Sequence, residues 1–150
     1  MPYTEKITWQ GRSLTLTRDE PPTKVGEARS AEVRLEILDI TDAAVRPSNL
    51  DAAEGTPLPV FQAPGVRVDV SKRKTAPMGF WHRNMEHDEL IFCHKGGMTW
   101  ETELGTVTLR AGQMLLIPQG VAHRAVPPEG GGENILIELK MAPMARRVFP

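Results

Sequence analysis

Along most of this chain apolar and polar residues alternate with a period of two, and glycine or proline interrupts the alternation at short intervals. A period of two marks a half-buried strand, because successive side chains in extended backbone point to opposite faces. Ile7-Thr8-Trp9, the turn residues Gln10-Gly11-Arg12 and then Leu14-Thr15-Leu16-Thr17 read as an N-terminal hairpin. Val33–Leu38 alternates apolar with charged residues, and Val66–Val70 does the same. Between them, 41–64 carries Pro47, Pro57, Pro59 and Pro64 among small and polar residues, which predicts a long covering loop with a helical turn around Leu50–Glu54. From Gly79 the pattern is a meander, with strands expected at 79–84, 88–95, 98–102, 106–110, 114–118, 122–126 and 133–140. Glu103–Thr106 and Arg110–Gln113 supply turns. Many short strands at near-regular spacing predict an all-β sandwich or small barrel.

Composition changes this picture little. The 150 residues and 16.6 kDa suit one domain with a sizeable core. Thirteen glycines and thirteen prolines leave few windows long enough for a helix. A net charge of -1 and a pI near 6.4 argue against nucleic-acid and membrane partners. The single cysteine, Cys93, excludes an intrachain disulfide framework and fits a reducing compartment. Met1–Lys6 lacks the apolar core of a signal peptide, and no apolar run approaches the ~18 residues of a membrane span. A cytoplasmic protein is expected.

The candidate chemistry is concentrated. All four histidines lie between His82 and His123, in two segments bounded by glycines. The first runs His82-Arg83-Asn84-Met85-Glu86-His87-Asp88-Glu89 and then six residues to Gly96; the second runs from Gly112 through Pro118-Gln119-Gly120 to His123. Imidazole and carboxylate are ligands of divalent first-row metals. Strand parity puts Glu89 with Ile91 and Cys93, His82 with Asn84, and His123 with Ala125, so His82, Glu89 and His123 can share one interior. Two histidines and one carboxylate leave positions open, as oxygen-activating non-haem iron requires. Cys93 is a poor fourth ligand, roughly 13 Å beyond Glu89 along a strand. Glu86 and Asp88 compete with Glu89, and a one-residue change of register brings loop residue His87 to the metal or the substrate. Asn84 is a weak ligand, a substrate hydrogen-bonder or a group that orients an imidazole. His94 falls on the face opposite Glu89, Trp81 and Trp100 suit core or interface, and Arg83 and Arg67 suit the surface.

These two segments resemble the two motifs of the cupin superfamily. The second is complete from Gly112 to His123, with Pro127 where a closing asparagine is common. The first departs from the usual form: Ala76 replaces the leading glycine, Asn84 replaces the second histidine, and His87 is additional. His82-Arg83-Asn84 with its following acid, and Phe92–Leu109 with Gly97-Met98-Thr99-Trp100-Glu101-Thr102-Glu103-Leu104-Gly105, are also similar to homogentisate dioxygenase and its relatives, whose chain is much longer. The resemblance covers roughly 65–140.

The resemblance implies a single-domain cupin, a jelly-roll-like β-barrel with an N-terminal β-hairpin extension. In it, 1–64 forms the N-terminal strands and covering loop and 65–140 the barrel core. It implies iron(II) held by His82, Glu89 and His123; zinc, manganese or nickel are other possibilities, and His87 and Asn84, where the chain departs from the family pattern, are the candidate catalytic residues. The activity implied is a mononuclear iron(II) dioxygenase acting on a small hydroxylated aromatic compound. The alternatives are a non-redox lyase or isomerase, a non-catalytic metabolite-binding cupin, or the small subunit of a two-component dioxygenase. The strand edges at 7–17 and 33–38 further predict a homodimer in which N-terminal strands extend the partner's sheet.

Overall fold

The computed structural model describes residues 3–19, 35–47, 56–74 and 77–149. These form strands and turns with no helix among them, as the period-two pattern predicts. No described helix is therefore long and apolar enough to cross a membrane. The chain divides into two compact units, Met1–Ile37 and Leu38–Pro150.

The first unit holds β1 (Tyr3–Trp9) and β2 (Arg12–Arg18), an antiparallel pair in register from Tyr3↔Arg18 to Trp9↔Arg12. Its turn is Gln10-Gly11, both at positive φ (47° and 72°), the geometry whose twist matches a two-residue hairpin. Ile7 pairs with Leu14 on one face, while Thr4, Thr17, Lys6, Thr15, Thr8 and Ser13 make up the other. The strand expected at Val33–Leu38 is not formed in its described part, where residues 35–38 have no strand partner and Leu35 and Ile37 are fully exposed. Val33 and Arg34, and the helical turn expected at Leu50–Glu54, lie outside the described residues.

The second unit is a jelly-roll-like pair of sheets rather than a closed barrel. Its strands are β3 (Leu58–Ala63), β4 (Val66–Arg73), β5 (Asp88–Lys95), β6 (Gly97–Thr102), β7 (Gly105–Arg110), β8 (Met114–Ile117), β9 (His123–Val126) and β10 (Asn134–Met141). One sheet has the order β3-β4-β10-β5-β8 and the other β7-β6-β9. The covering loop expected over 41–64 thus contains a strand. Pro59 hid it, and the structure tolerates that proline because β3 is an edge strand with a register shift between Pro59 and Phe61.

The five-stranded sheet is apolar outside and mixed inside. Its outer face carries two cross-strand rows, Val68–Leu139–Leu90–Leu116 and Val70–Ile137–Phe92–Met114. Its inner face carries Ser71–Leu136–Cys93, then Asp69–Glu138–Ile91–Leu115, then Arg67–Lys140–Glu89–Ile117. The apolar members of these rows meet Met98, Trp100, Leu109 and Ala125 of the smaller sheet to make the core. The charged members lie at the β4–β10 end, where the core gives way to a cavity.

Candidate functional site

His82 and His123 are forty-one residues apart, yet they sit opposite each other in an isolated antiparallel bridge. The His82 amide donates to the His123 carbonyl at 3.1 Å, and the His123 amide returns the bond at 2.8 Å. Directly opposed residues on antiparallel strands share a face, so the two imidazoles meet edge to face with centroids 4.3 Å apart. The strand expected at 79–84 is reduced to this bridge. The Met78 amide bonds the Ala125 carbonyl, so Gly79, Phe80 and Trp81 stand opposite Arg124 alone and bulge outward. Half-exposed, Trp81 rests against the Arg124 guanidinium at 5.7 Å.

The turns around the bridge are fixed by glycine and by a buried acid. Gly120, at φ +82°, donates its amide to the Asn84 carbonyl at 2.7 Å and ties the 82–87 segment to the start of β9. Asp88 is buried and accepts the amides of Gln119 and Ala145, each at 2.7 Å. Burial raises the Asp88 pKa, but these amide bonds outweigh it and leave the pKa below the usual value. Asp88 therefore acts as a loop clamp, and Glu86 is exposed on a neighbouring groove. Of the three clustered acids, Glu89 alone faces the histidines.

Glu89 is 5% exposed, and its two oxygens have different neighbours. Oε2 lies 3.3 Å from His123 Nε2; Oε1 lies 3.7 Å from both His87 Nε2 and Lys140 Nζ. The His123 ring is oriented from behind, Nδ1 bonding the Val121 carbonyl at 2.9 Å with Nδ1 assigned as donor. Burial opposes charge on His123, but the hydrogen bonds to Glu89 and Val121 win and raise its pKa. For Glu89, burial is likewise overcome by His123 and Lys140, and its pKa is lowered. His82 goes the other way: burial and the neighbouring His123 lower its pKa and favour neutral imidazole.

His82, Asn84, Glu89 and His123 line one cavity of about 190 Å³, together with apolar Met78, Ile91, Trp100, Ala125 and Leu136 and polar Ser71, Arg73, Glu138 and Lys140. His87 lines the neighbouring groove with Arg67, Glu86 and Lys140, and its Nε2 faces Glu89 of the cavity wall at 3.7 Å. His94 is exposed, Cys93 is a core residue whose thiol pKa is raised by burial, and Arg83 is exposed near Glu103.

Sequence reasoning missed the charged wall. Lys140 Nζ stands 3.1 Å from Asp69, 3.7 Å from Glu89 and 3.9 Å from Glu138. Burial, reinforced by the charge of Glu89, pushes the Glu138 carboxyl up to about 7. The available signal was parity: Glu138 and Lys140 fall in phase with buried Leu136, and Asp69 with buried Ser71, so charges were written on core-facing positions.

Among the described residues no three His, Cys, Asp or Glu side chains stand together closely enough to hold a metal ion, and Glu89 and His123 pair with each other. The chemistry of the donors nevertheless fits a divalent metal. Two imidazoles and a carboxylate face one cavity, and His123 presents Nε2 with its other nitrogen held by a carbonyl. Among the described residues His82 Nδ1 and Asn84 Nδ2 are buried with no hydrogen-bond partner, as ligand-facing groups are.

No protein-family model and no curated protein matches the chain. Solved structures do match its fold. A protein with a double-stranded β-helix domain from Klebsiella pneumoniae subsp. pneumoniae aligns with a TM-score of 0.58 at 19% identity, over 81% of this chain and 95% of that one. A cupin-2 domain protein from Shewanella frigidimarina aligns at 0.50 and 22%, over 57% and 79%. KdgF from Halomonas sp. aligns at 0.50 and 23%, over 59% and 78%. Likeness at this identity concerns the fold, and the chain has the cupin fold.

Proposed function

We propose that His82, Glu89 and His123 hold a divalent metal and that the protein is an iron(II)-dependent dioxygenase acting on a small hydroxylated aromatic compound. The observation that supports this most is the bridge between His82 and His123, which places two imidazoles beside Glu89 in one cavity. The size agrees: cavities of roughly 150 Å³ accept a benzene ring, and this one is about 190 Å³. When bound, iron(II) with two imidazoles and one carboxylate supplies open positions and a redox electron for oxygen chemistry.

The chain's own residues do the rest. Val121 keeps the His123 ring turned toward the cavity, and Lys140 and His87 each stand 3.7 Å from the far oxygen of Glu89. Asn84 offers an amide donor to a substrate oxygen, while Ile91, Trp100 and Leu136 exclude water from the ring-sized space. The homodimer joined through N-terminal strands belongs to this reading, and light scattering at micromolar concentration checks it.

A second reading, a non-redox lyase or isomerase, is favoured by Glu138. A carboxyl poised near neutral pH beside a lysine suits the proton transfer on which lyase and isomerase chemistry turns. One experiment separates the two: metal analysis of protein purified without added metal, followed by an oxygen-electrode screen of hydroxylated aromatic compounds. Oxygen consumed one to one with substrate by the iron form, and none by the zinc form, supports the dioxygenase. Turnover without oxygen favours the lyase or isomerase.

A further inference from the structure

We infer that the segment after β10, residues 142–149, helps to position the site, and that Asp88 is the positioning residue that ties its Ala145 to the turn orienting His123. The inference rests on reading His82, Glu89 and His123 as the metal ligands. It concerns what holds those side chains, whichever metal they take.

Asp88 opens β5 directly before Glu89, and strand parity puts it on the face opposite the cavity. It is 3% exposed, and both of its oxygens are used. Oδ1 accepts the Gln119 amide and Oδ2 the Ala145 amide, each at 2.7 Å. One buried carboxylate therefore joins the turn that leads into β9 to the segment that follows β10.

The turn reaches both halves of the site. The Gln119 side chain donates to the Met85 carbonyl, and the Gly120 amide donates to the Asn84 carbonyl at 2.7 Å. The Arg83 guanidinium donates to the Gly120 carbonyl at 3.1 Å. One residue further on, the Val121 carbonyl holds His123 Nδ1 at 2.9 Å. A shift of this turn thus moves the carbonyl that aims the His123 ring together with the segment that follows His82.

The other end of the clasp is a strained turn. The Ala142 amide is fixed to the Gly65 carbonyl at 3.1 Å. Two residues later Met144 stands at φ +76°, a conformation uncommon for a residue with a Cβ. Its side chain is 89% exposed, so packing does not hold it there. What the turn gains is the Ala145 amide brought onto Asp88. Strain of this kind persists where the surroundings over-determine it, and functional sites are where it gathers. Val148 and Phe149 beyond it are exposed, so Ala145 is where the segment meets the site.

The test uses the full chain as wild type, Asp88→Ala, Ala145→Pro, Met144→Gly and the core variant Met98→Ala. Zinc affinity is read by competition with a chromophoric chelator, and ligand geometry by the absorption bands of the cobalt(II) form. Ala145→Pro deletes the amide that Asp88 Oδ2 accepts, and Met144→Gly keeps the turn without its strain. Zinc affinity should fall about tenfold in Asp88→Ala, the low end for groups that support metal ligands, and by less in Ala145→Pro. The cobalt bands should shift in both, and should stay at their wild-type positions in Met144→Gly and in Met98→Ala, although the latter is less stable. Lower melting temperatures with unshifted bands in Asp88→Ala and Ala145→Pro would overturn the inference, because the clasp would then serve the fold alone. Should Asp88→Ala not fold, Ala145→Pro decides by itself. A metal-free arm follows the His123 ring nitrogens and the Gly120 amide by nuclear magnetic resonance, and both should move in Ala145→Pro. If they do not, the inference falls whatever the metal results. If wild type takes neither zinc nor cobalt yet both move, the metal reading falls and this inference stands.

Discussion

The interior of the second unit has two halves built on the same strands. Toward β5, β8 and the smaller sheet, Ile91, Cys93, Met98, Trp100, Leu109, Ile117, Ala125 and Leu136 form a dry core. Along β4, β10 and the start of β5, the same inward face carries Asp69, Arg73, Glu89, Glu138 and Lys140, all buried or nearly so. The first half stabilises the fold by removing apolar surface from water, at about 25 cal/mol per Å². The second half costs several kcal/mol per buried ion before pairing returns some of it. A fold that keeps such a cluster beside a cavity places its expense where a ligand is met, which is where departures from local consistency are expected.

If the halves differ in this way, breaking each should look different. The largest effect is expected from Lys140→Met, which leaves Asp69, Glu89 and Glu138 without their shared cation. Loss of one partner from a buried ionic cluster costs about 3–5 kcal/mol, read as a shift of the urea midpoint. Adding Asp69→Asn to Lys140→Met should recover part of the loss. Met98→Ala, in the dry half, should cost about 3 kcal/mol through its cavity but leave metal content unchanged. Equal metal loss in both variants would erase the distinction between the halves.

Glu138 gives the comparison a pH signature. Its carboxyl ionises near 7 in the folded protein against an ordinary 4.5. Between those values the folded state holds a proton that the unfolded state has released, so stability falls as pH rises through that window. Glu138→Gln lacks that proton, so its stability relative to wild type should rise from pH 4.5 to 7 and then level off, as thermal melts would show. A constant difference across that range would mean that Glu138 titrates normally. The smallest effect is expected at His87, which touches Glu89 from the groove. His87→Ala should weaken metal binding by about 10–100-fold without abolishing it. Complete loss there, with Glu89→Ala tolerated, would make His82, His87 and His123 the ligand set.

Much of this was legible in the chain. Parity alone put Glu89 with Ile91 and Cys93 and His123 with Ala125, and all five are buried in the structure. The strands from β5 to β10 also fell close to where turn residues placed them. Three features were not legible, for physical reasons. Pro59 disguised an edge strand, because sequence does not show which strand edge lacks a partner. The 79–81 bulge replaced a strand, because its cause is the register of Met78 and His82 on β9, a long-range fact. Residues 35–38 alternate correctly but found no strand to pair with. The charged wall was written in phase with Leu136 and Ser71, yet alternation by itself does not distinguish an inward charge from a solvated one.

The central claim is that His82, Glu89 and His123 together hold one metal ion. Its most direct test is the metal content of wild type and of the His82→Ala, Glu89→Ala and His123→Ala variants, by elemental analysis of protein purified without added metal, with circular dichroism to confirm the β fold. The account predicts about one divalent ion per wild-type chain, no bound ion above background in each variant, and unchanged β-sheet spectra. Full occupancy retained in His123→Ala would contradict it, because that imidazole is the one joined both to Glu89 and, through the bridge, to His82.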